Sequence, residues 1–561
     1  MDNSSKSANI LKKYSSYLLL AILMIIVGLV TYYRLMIQIE MGPLSDACDF
    51  LSNALVFAGQ DTGYSDLIRP PLFSFLLSLI FRTGYVSTNA IFVLDSLMYL
   101  LGVVGLFFLL KLRFNDLQSF LGALLFATFS TVLVVMSTGF SDLASVSITI
   151  WTFYFLILAV QKDSRFFYLV FPFAMLAFLT RYNSALIIFP IFLYIFINRN
   201  RINDIRHIFT GIIASSLFLI PVFIFFFERF GSLLYPFMNF LGSTSNPSLP
   251  ENAAYNSNIF FFIDKLPLFI GLEGIVTIFI ILIGILVYGF LKFRSTSESR
   301  KKLFNGIEKK STKLKLALLT ALILIFAGSF SHISWMGSEV LFFIISYLFY
   351  DLIKDLDIKD MDTHLLFFTW FMAFFIFQSL FLTKDNRYFV AMAPSVAYFL
   401  ILGLSEVSNR LKFKIKNRDV IFPIIAIILT AVILLSTASY LPVIKQANEA
   451  NEITNENIII ASEWFKNYDP DYRNKVIYAD LWPNFGWYLK TNIKMMPVFM
   501  NGQSYSGGVK EFNLTHQDNM AYNQELDTNN ADYYFSIRQG LNLTSYKPIK
   551  EFGNLIIYQK E

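Results

Sequence analysis

Two aspartates, Asp46 and Asp49 in "LSDACDFLSNALVFAGQ", stand a few residues beyond the first long apolar run of the chain. Further along, Arg69 precedes a double proline in "IRPPLFSFLL", Asp142 opens "SDLASVSITIW", Arg181 sits in "LTRYNSALIIFP", and Lys384 and Arg387 share "TKDNRYFVAMAP". A guanidinium group binds phosphate bidentately and keeps its charge. Arginines at a membrane interface with carboxylates nearby suit an anionic phosphate presented by a lipid, the carboxylates acting on what that phosphate leaves behind. Simpler readings stand beside this one. Asp142 suits a helix N-cap, its carboxylate accepting orphan backbone N–H groups. Arg181 suits an interfacial side chain reaching for water. Lys384 and Arg387, two cations in a very short turn, are harder to assign to anchoring.

The elements that must hold these residues are membrane helices. Of 561 residues, 55% are hydrophobic, 15% are charged and 62 are Phe. A soluble core has no room for that much apolar surface. The apolar runs lack strand-like alternation, which selects helices over a barrel. The spans read as 17–36, 88–110, 118–137, 143–160, 166–180, 182–198, 208–227, 267–291, 316–333, 335–352, 364–382, 388–407 and 419–441, about thirteen in all. With the N-terminus in the cytoplasm, "KLR", "QKDSR", "NRNRINDIR", "KFRSTSESRKKLFNGIEKKSTKLK" and "NRLKFKIKNR" all fall inside, as the positive-inside rule requires. The C-terminus is then exported. The net charge of +5 follows from this topology and does not indicate nucleic acid. Cys48 is the only cysteine, so no intramolecular disulfide is available.

Under this topology Asp46, Asp49, Asp142, Arg181, Lys384 and Arg387 all lie at the outer face. So do the accessory candidates Asp95, His332 and Glu339, together with Glu273. Acidic residues cluster on the inner side only in "DLIKDLDIKDMD". A polar cavity opening outward is the simplest joint explanation, since a charge in the bilayer costs a few kcal/mol on insertion scales.

Three outer segments exceed simple connections. In the first, 37–87, "CDFLSNALVFAGQ" and "PPLFSFLLSLIF" are apolar at helical spacing but too short to cross, and predict interfacial helices joined by the turn "QDTGYSD". The second, "ERFGSLLYPFMNFLGSTSNPSLPENAAYNSN", reads as a mobile loop. The third, 443–561, predicts an exported α/β domain. It holds one helix, "ITNENIIIASEWFKNY", and strands at "KVIYAD", "IKMMPVFM", "ADYYFSI" and "NLIIYQK". Trp482, Trp487 and Tyr488 either fill the core of that domain or stack on a sugar; core is the commoner use.

These motifs resemble the GT-C-fold glycosyltransferases, and within them the branch of the protein O-mannosyltransferases and the lipid A aminoarabinose transferases (glycosyltransferase family 39). Asp46, Phe50, Ala54, Arg69, Pro70 and Pro71 follow the order of that branch's first outer loop. Asp142, the "LTRYN" turn, the "RYFVAMAP" segment and an outer C-terminal domain continue the likeness. Ala47 departs from it, since the family usually has a Glu directly after its first aspartate, and the second acidic residue is often Glu where this chain has Asp142.

The resemblance implies a polytopic all-α catalytic domain over 1–442 in the plasma membrane, followed by the α/β domain. It implies an inverting transfer from a polyprenyl- or dolichyl-phosphate sugar to a protein, lipid or glycan acceptor at the outer face. Asp46 would be the general base, with Asp49 the alternative, and Asp142 would orient the acceptor or a cation. Arg69, Arg181 and Arg387, with Lys384, would hold the donor phosphate. No cofactor is certain. Some such enzymes use a divalent cation, Mg or Mn, and Asp46 with Asp142 would be its oxygen ligands. A polytopic transporter or flippase is the rival from another class, and would need polar mid-membrane sites and inverted repeats. A polysaccharide polymerase is the nearer rival.

Overall fold

The computed structural model describes residues 3–243, 256–293, 310–354, 358–381, 383–411, 414–415, 418–505 and 513–561. Parts of the second outer segment, of the long basic segment after residue 291 and of "DLIKDLDIKDMD" lie outside the described residues. Among the described residues, nine helices are long and apolar enough to cross a membrane. The chain is a mostly helical, multi-pass membrane protein with a small C-terminal sheet.

The first outer segment folds as its pattern predicts. Helix α1 (Asn3–Met41) runs on past the expected end of the first span, and α2 (Ser45–Phe57) and α3 (Pro71–Phe81) follow as short helices. Pro71 sits at the first helical position, where its missing N–H costs nothing, and Pro70 adopts extended geometry, so α3 starts directly after Arg69. The Asn53 side chain clasps the backbone of Asp66 with bonds of 2.7 and 2.8 Å, which ties the Arg69 loop to α2.

Several expected spans differ from the structure. The span 118–137 is broken: α5 (Asp116–Thr128) and α6 (Ser130–Val135) meet at Phe129, whose ψ of 135° interrupts the helix after α4 (Asn89–Lys111). The spans 182–198 and 388–407 each begin with a 3₁₀ stretch, Tyr182–Ile187 and Asn386–Ala391. Apolar periodicity tolerates such breaks because the residues remain buried, whereas backbone hydrogen bonding does not. The mobile-loop expectation also changes, since Tyr235–Ser243 is helical.

After α6 the chain turns through Ser137 and Gly139, both at positive φ, into α7 (Asp142–Gln161). A Cβ on Gly139 would meet Ile91 at 3.1 Å and Ala47 at 3.3 Å. Only glycine lets this turn close onto α2, and that approach brings Asp142 toward Asp46.

In the C-terminal part, the last membrane helix continues to Ala447 and is followed by Glu449–Tyr468. Strands Lys494–Met495, Ile477–Ala479, Tyr533–Ser536, Leu555–Lys560 and Tyr546–Phe552 form a five-stranded sheet in that spatial order. The first three are parallel and the last two pair antiparallel. Trp482–Leu489, expected as part of a core or sugar platform, is a short helix that docks on α2 and α3. Trp487 is buried there, stacked on Phe81. Asn484 bonds Ser45 and the Pro43 carbonyl at 3.2 Å each, and a side chain on Gly486 would strike the Tyr64 ring.

Candidate functional site

Asp46 projects from the first turn of α2 and receives two guanidinium groups. Arg69 lies 3.0 Å from its Oδ1, and Arg387, 341 residues away in sequence, lies 2.5 Å from its Oδ2. Arg69 also pairs with Asp49 at 2.5 Å and Asp66 at 2.9 Å, and packs over the Phe50 ring. Asp142, in the first turn of α7, pairs with Arg181 at 2.7 Å. The N-cap reading of Asp142 therefore gives way: the capping position is Ser141, and the Asp142 carboxylate is spent on the arginine.

These residues surround one cavity of about 230 Å³. Asp46, Asp142, Arg69, Arg181 and Arg387 line it, together with aromatic and amide groups that include Phe140, Tyr388 and Gln378. Arg387 lies over Phe140 at 4.8 Å, and Arg181 over Tyr388 at 5.3 Å. The planar aromatic faces fix the guanidinium planes while leaving their edges free to bind.

The two aspartates of α2 are sharply different. The Asp46 side chain is 26% exposed and lines the cavity, whereas Asp49 is 2% exposed and sits behind Arg69. Burial by itself would raise the Asp46 carboxyl, but Arg69 and Arg387 outweigh it and hold Asp46 well below the usual carboxylate range. For Asp49, burial wins over Arg69 and over the Tyr64 hydroxyl that donates to it at 2.5 Å, and its carboxyl is pushed up to about 7.

The remaining sequence candidates are placed elsewhere. Lys384 is buried and donates to the Asn256 carbonyl, and burial pushes its amine down to about 8. Its amine is spent on that carbonyl, and it is not on the cavity wall. Asp95 accepts the Gly139 N–H at 3.1 Å, so it braces the turn that leads into Asp142. His332 bonds Ser331 at 3.1 Å on an exposed surface. Glu339 is buried in the helix Trp335–Ile353, outside the cavity lining. Sequence reasoning missed Phe140, Tyr388 and Gln378. A usable signal existed for one of them, since Arg181 and Arg387 are each followed by tyrosine, in "TRYN" and "NRYF".

The oxygen ligands expected for a divalent cation are Asp46 and Asp142. Asp46 and Asp142 are each matched by arginine, and among the described residues no three His, Cys, Asp or Glu side chains gather into a metal site.

Residues 68–225, from the Arg69 loop through α7 to the helix after Arg206, match the family model for dolichyl-phosphate-mannose-protein mannosyltransferase. Asp46, Arg387 and the C-terminal sheet lie outside that match. Two solved structures of ArnT from Cupriavidus metallidurans share the fold. The form bound to undecaprenyl phosphate aligns at TM-score 0.54 with 10% identity over 95% of this chain and 97% of that one. The apo form aligns at 0.52 with 11% identity over 96% and 97%. A search of curated protein sequences finds no match. The chain has the GT-C fold of membrane glycosyltransferases, as the resemblance in its motifs implied.

Proposed function

We propose that this protein transfers a sugar from a polyprenyl- or dolichyl-phosphate donor to a hydroxyl-bearing acceptor at the outer membrane face. The observation that carries the reading is the convergence of two carboxylates and three arginines on one 230 Å³ cavity beside the interfacial helices. ArnT, which shares the fold, is described in complex with undecaprenyl phosphate, which supports a lipid phosphate as the group recognised here.

In this mechanism Arg181, Arg387 and Arg69 receive the donor phosphate at the depth where its hydrocarbon chain holds it. Asp46 takes the proton of the acceptor hydroxyl as that oxygen attacks the anomeric carbon. The bond between that carbon and the phosphate oxygen breaks, and the lipid phosphate leaves with the electron pair, stabilised by the arginines. The configuration inverts in this single displacement. With both its oxygens paired to arginine, Asp46 is a poor base. A phosphate that draws Arg387 and Arg69 away releases the carboxylate and raises its basicity, so donor binding arms the base. No step is routed through a metal ion.

The test compares surface glycans and lipid-linked sugars by mass spectrometry in cells with and without the gene. Loss of one modification with accumulation of one lipid-phosphate sugar is expected; unchanged profiles of both count against the assignment. Sidedness is checked separately. Cys48 is buried and should not report sidedness, so cysteines are placed at exposed Thr83 and Lys162. A membrane-impermeant reagent should label the first in intact cells and the second only after permeabilisation.

A further inference from the structure

A second cavity, about 360 Å³, adjoins the first across Arg387 and Phe140, which line both. Its wall includes Arg34, Gln38, Thr131, Asp385 and Tyr440. Arg34 stands out. It lies on α1 about two turns before the helix ends, is 1% exposed, and has no ion pair among the described residues.

Part of its role is structural. The break at Phe129 leaves α6 only six residues long, and Arg34 donates to the carbonyls of Leu133 at 3.2 Å and Val134 at 3.1 Å, near that helix's end. Gln38 takes another of its bonds at 3.0 Å. These contacts use Nε and Nη2. Nη1 is buried and has no hydrogen-bond partner among the described residues. A glutamine or lysine would suffice to cap one or two carbonyls; a buried guanidinium with one edge unspent is an expensive way to do so.

Arg387 differs, although it lines the same cavity. Its Nη1 serves Asp46, while its Nε is ion-paired with Asp385 at 3.3 Å but makes no hydrogen bond among the described residues. Arg387 is thus already matched by carboxylates, Asp46 on one side and Asp385 on the other, whereas Arg34 has no ion-pair partner among the described residues. That unmatched guanidinium beside the cavity favours an anion.

We propose that Arg34 anchors a second oxyanion subsite, which takes a phosphate group on the side of Arg387 away from Asp46. This goes beyond the transfer reading and does not depend on it, because binding is measured without turnover. The phosphate belongs either to the lipid carrier or to the other substrate. In both cases Arg387 is part of the wall that the two cavities share.

The first test soaks the full-length wild-type protein with tungstate, an electron-dense phosphate analogue, and determines the structure. Density within hydrogen-bond distance of Arg34 Nη1 is expected. Tungstate bound elsewhere, with this cavity empty, overturns the proposal without any variant having to fold. The second test measures binding of inorganic phosphate and of undecaprenyl phosphate to the full-length protein in nanodiscs. Arg34→Gln should weaken phosphate binding in this cavity about tenfold, as expected for one charge-assisted contact, and Arg34→Lys by less. If undecaprenyl phosphate weakens in parallel, the carrier supplies the anion. If only inorganic phosphate weakens, the other substrate supplies it. Wild-type binding of both ligands by Arg34→Gln overturns the proposal.

Discussion

Arginine–carboxylate pairs tie both ends of the helical bundle, but in different ways. At the end opposite Asp46, Arg113 pairs with Asp360 at 2.8 Å and Arg201 with Asp362 at 2.9 Å, while His364 meets the Tyr398 hydroxyl at 2.7 Å. Each is a one-to-one contact next to a helix terminus. At the Asp46 end one carboxylate holds two arginines, one arginine holds three carboxylates, and aromatic rings back the cations. Simple pairs fasten helices; shared, partly exposed pairs around a cavity can exchange partners when an anion arrives. Position on the bundle decides which kind a given arginine joins.

The sharpest way to break this contrast is Asp46→Asn. It keeps shape and removes the proton acceptor, so transfer should fall by about two to four orders of magnitude, as for loss of one general base. Donor binding should survive. Asp49→Asn, behind Arg69, should cost far less. A dead Asp49→Asn with an active Asp46→Asn, in a transfer assay with labelled lipid-phosphate sugar, would reverse the two roles.

Arg387 comes next. Arg387→Glu should abolish donor binding by repulsion, and Arg387→Lys should lose about 10-fold to 100-fold in turnover, because the charge remains but the planar fork and its stacking on Phe140 do not. Normal turnover by Arg387→Glu would make it an anchor like those of the opposite end.

A smaller effect concerns pH. Folding raises the Asp49 carboxyl from 3.8 to about 7, through burial first. In that window the folded state holds a proton that the unfolded state has lost, so its contribution to stability is complete below pH 4 and is lost as pH rises through 7. Protection of the α2 amides, corrected for the intrinsic base-catalysed exchange rate, should therefore fall from pH 5 to pH 8. Asp49→Asn should flatten the profile, and an unchanged profile would show that another group governs the loop.

The smallest change is expected from Arg201→Gln at the opposite end. With the Arg201 side chain 59% exposed, the pair with Asp362 should contribute about 0–1 kcal/mol, and transfer should stay as in the wild type. A loss of activity comparable with that of Arg387→Lys would erase the distinction between the two ends.

Much of the fold was legible because it rests on local pattern. The interfacial helices, the starts of α3 and α7, and most strands of the sheet follow from residues within a turn or two. The strand Tyr546–Phe552 escaped notice: "YKPIKEF" has little apolar alternation and relies on pairing with its neighbour across a tight turn. The break at Phe129 escaped too, since no Pro or Gly marks it. Among site residues, Arg69, Asp46, Asp142, Arg181 and Arg387 were legible as charges where charge is costly. Lys384 belonged to the same pattern, yet the structure spends it on a backbone carbonyl.

By itself the sequence determined that this chain is a multi-pass membrane protein, roughly where most of its apolar helices run, and which charged residues sit where charge is costly. Those properties follow from hydropathy and near-neighbour propensity, which each segment carries on its own. Only the tertiary structure decided that Arg387 meets Asp46 across 341 residues, that Asp49 is sealed behind Arg69, and that Arg34 faces a cavity with a donor to spare. A charge announces its need for a partner in the sequence, but the packing of distant helices selects which partner it finds and whether one binding edge is left for a ligand.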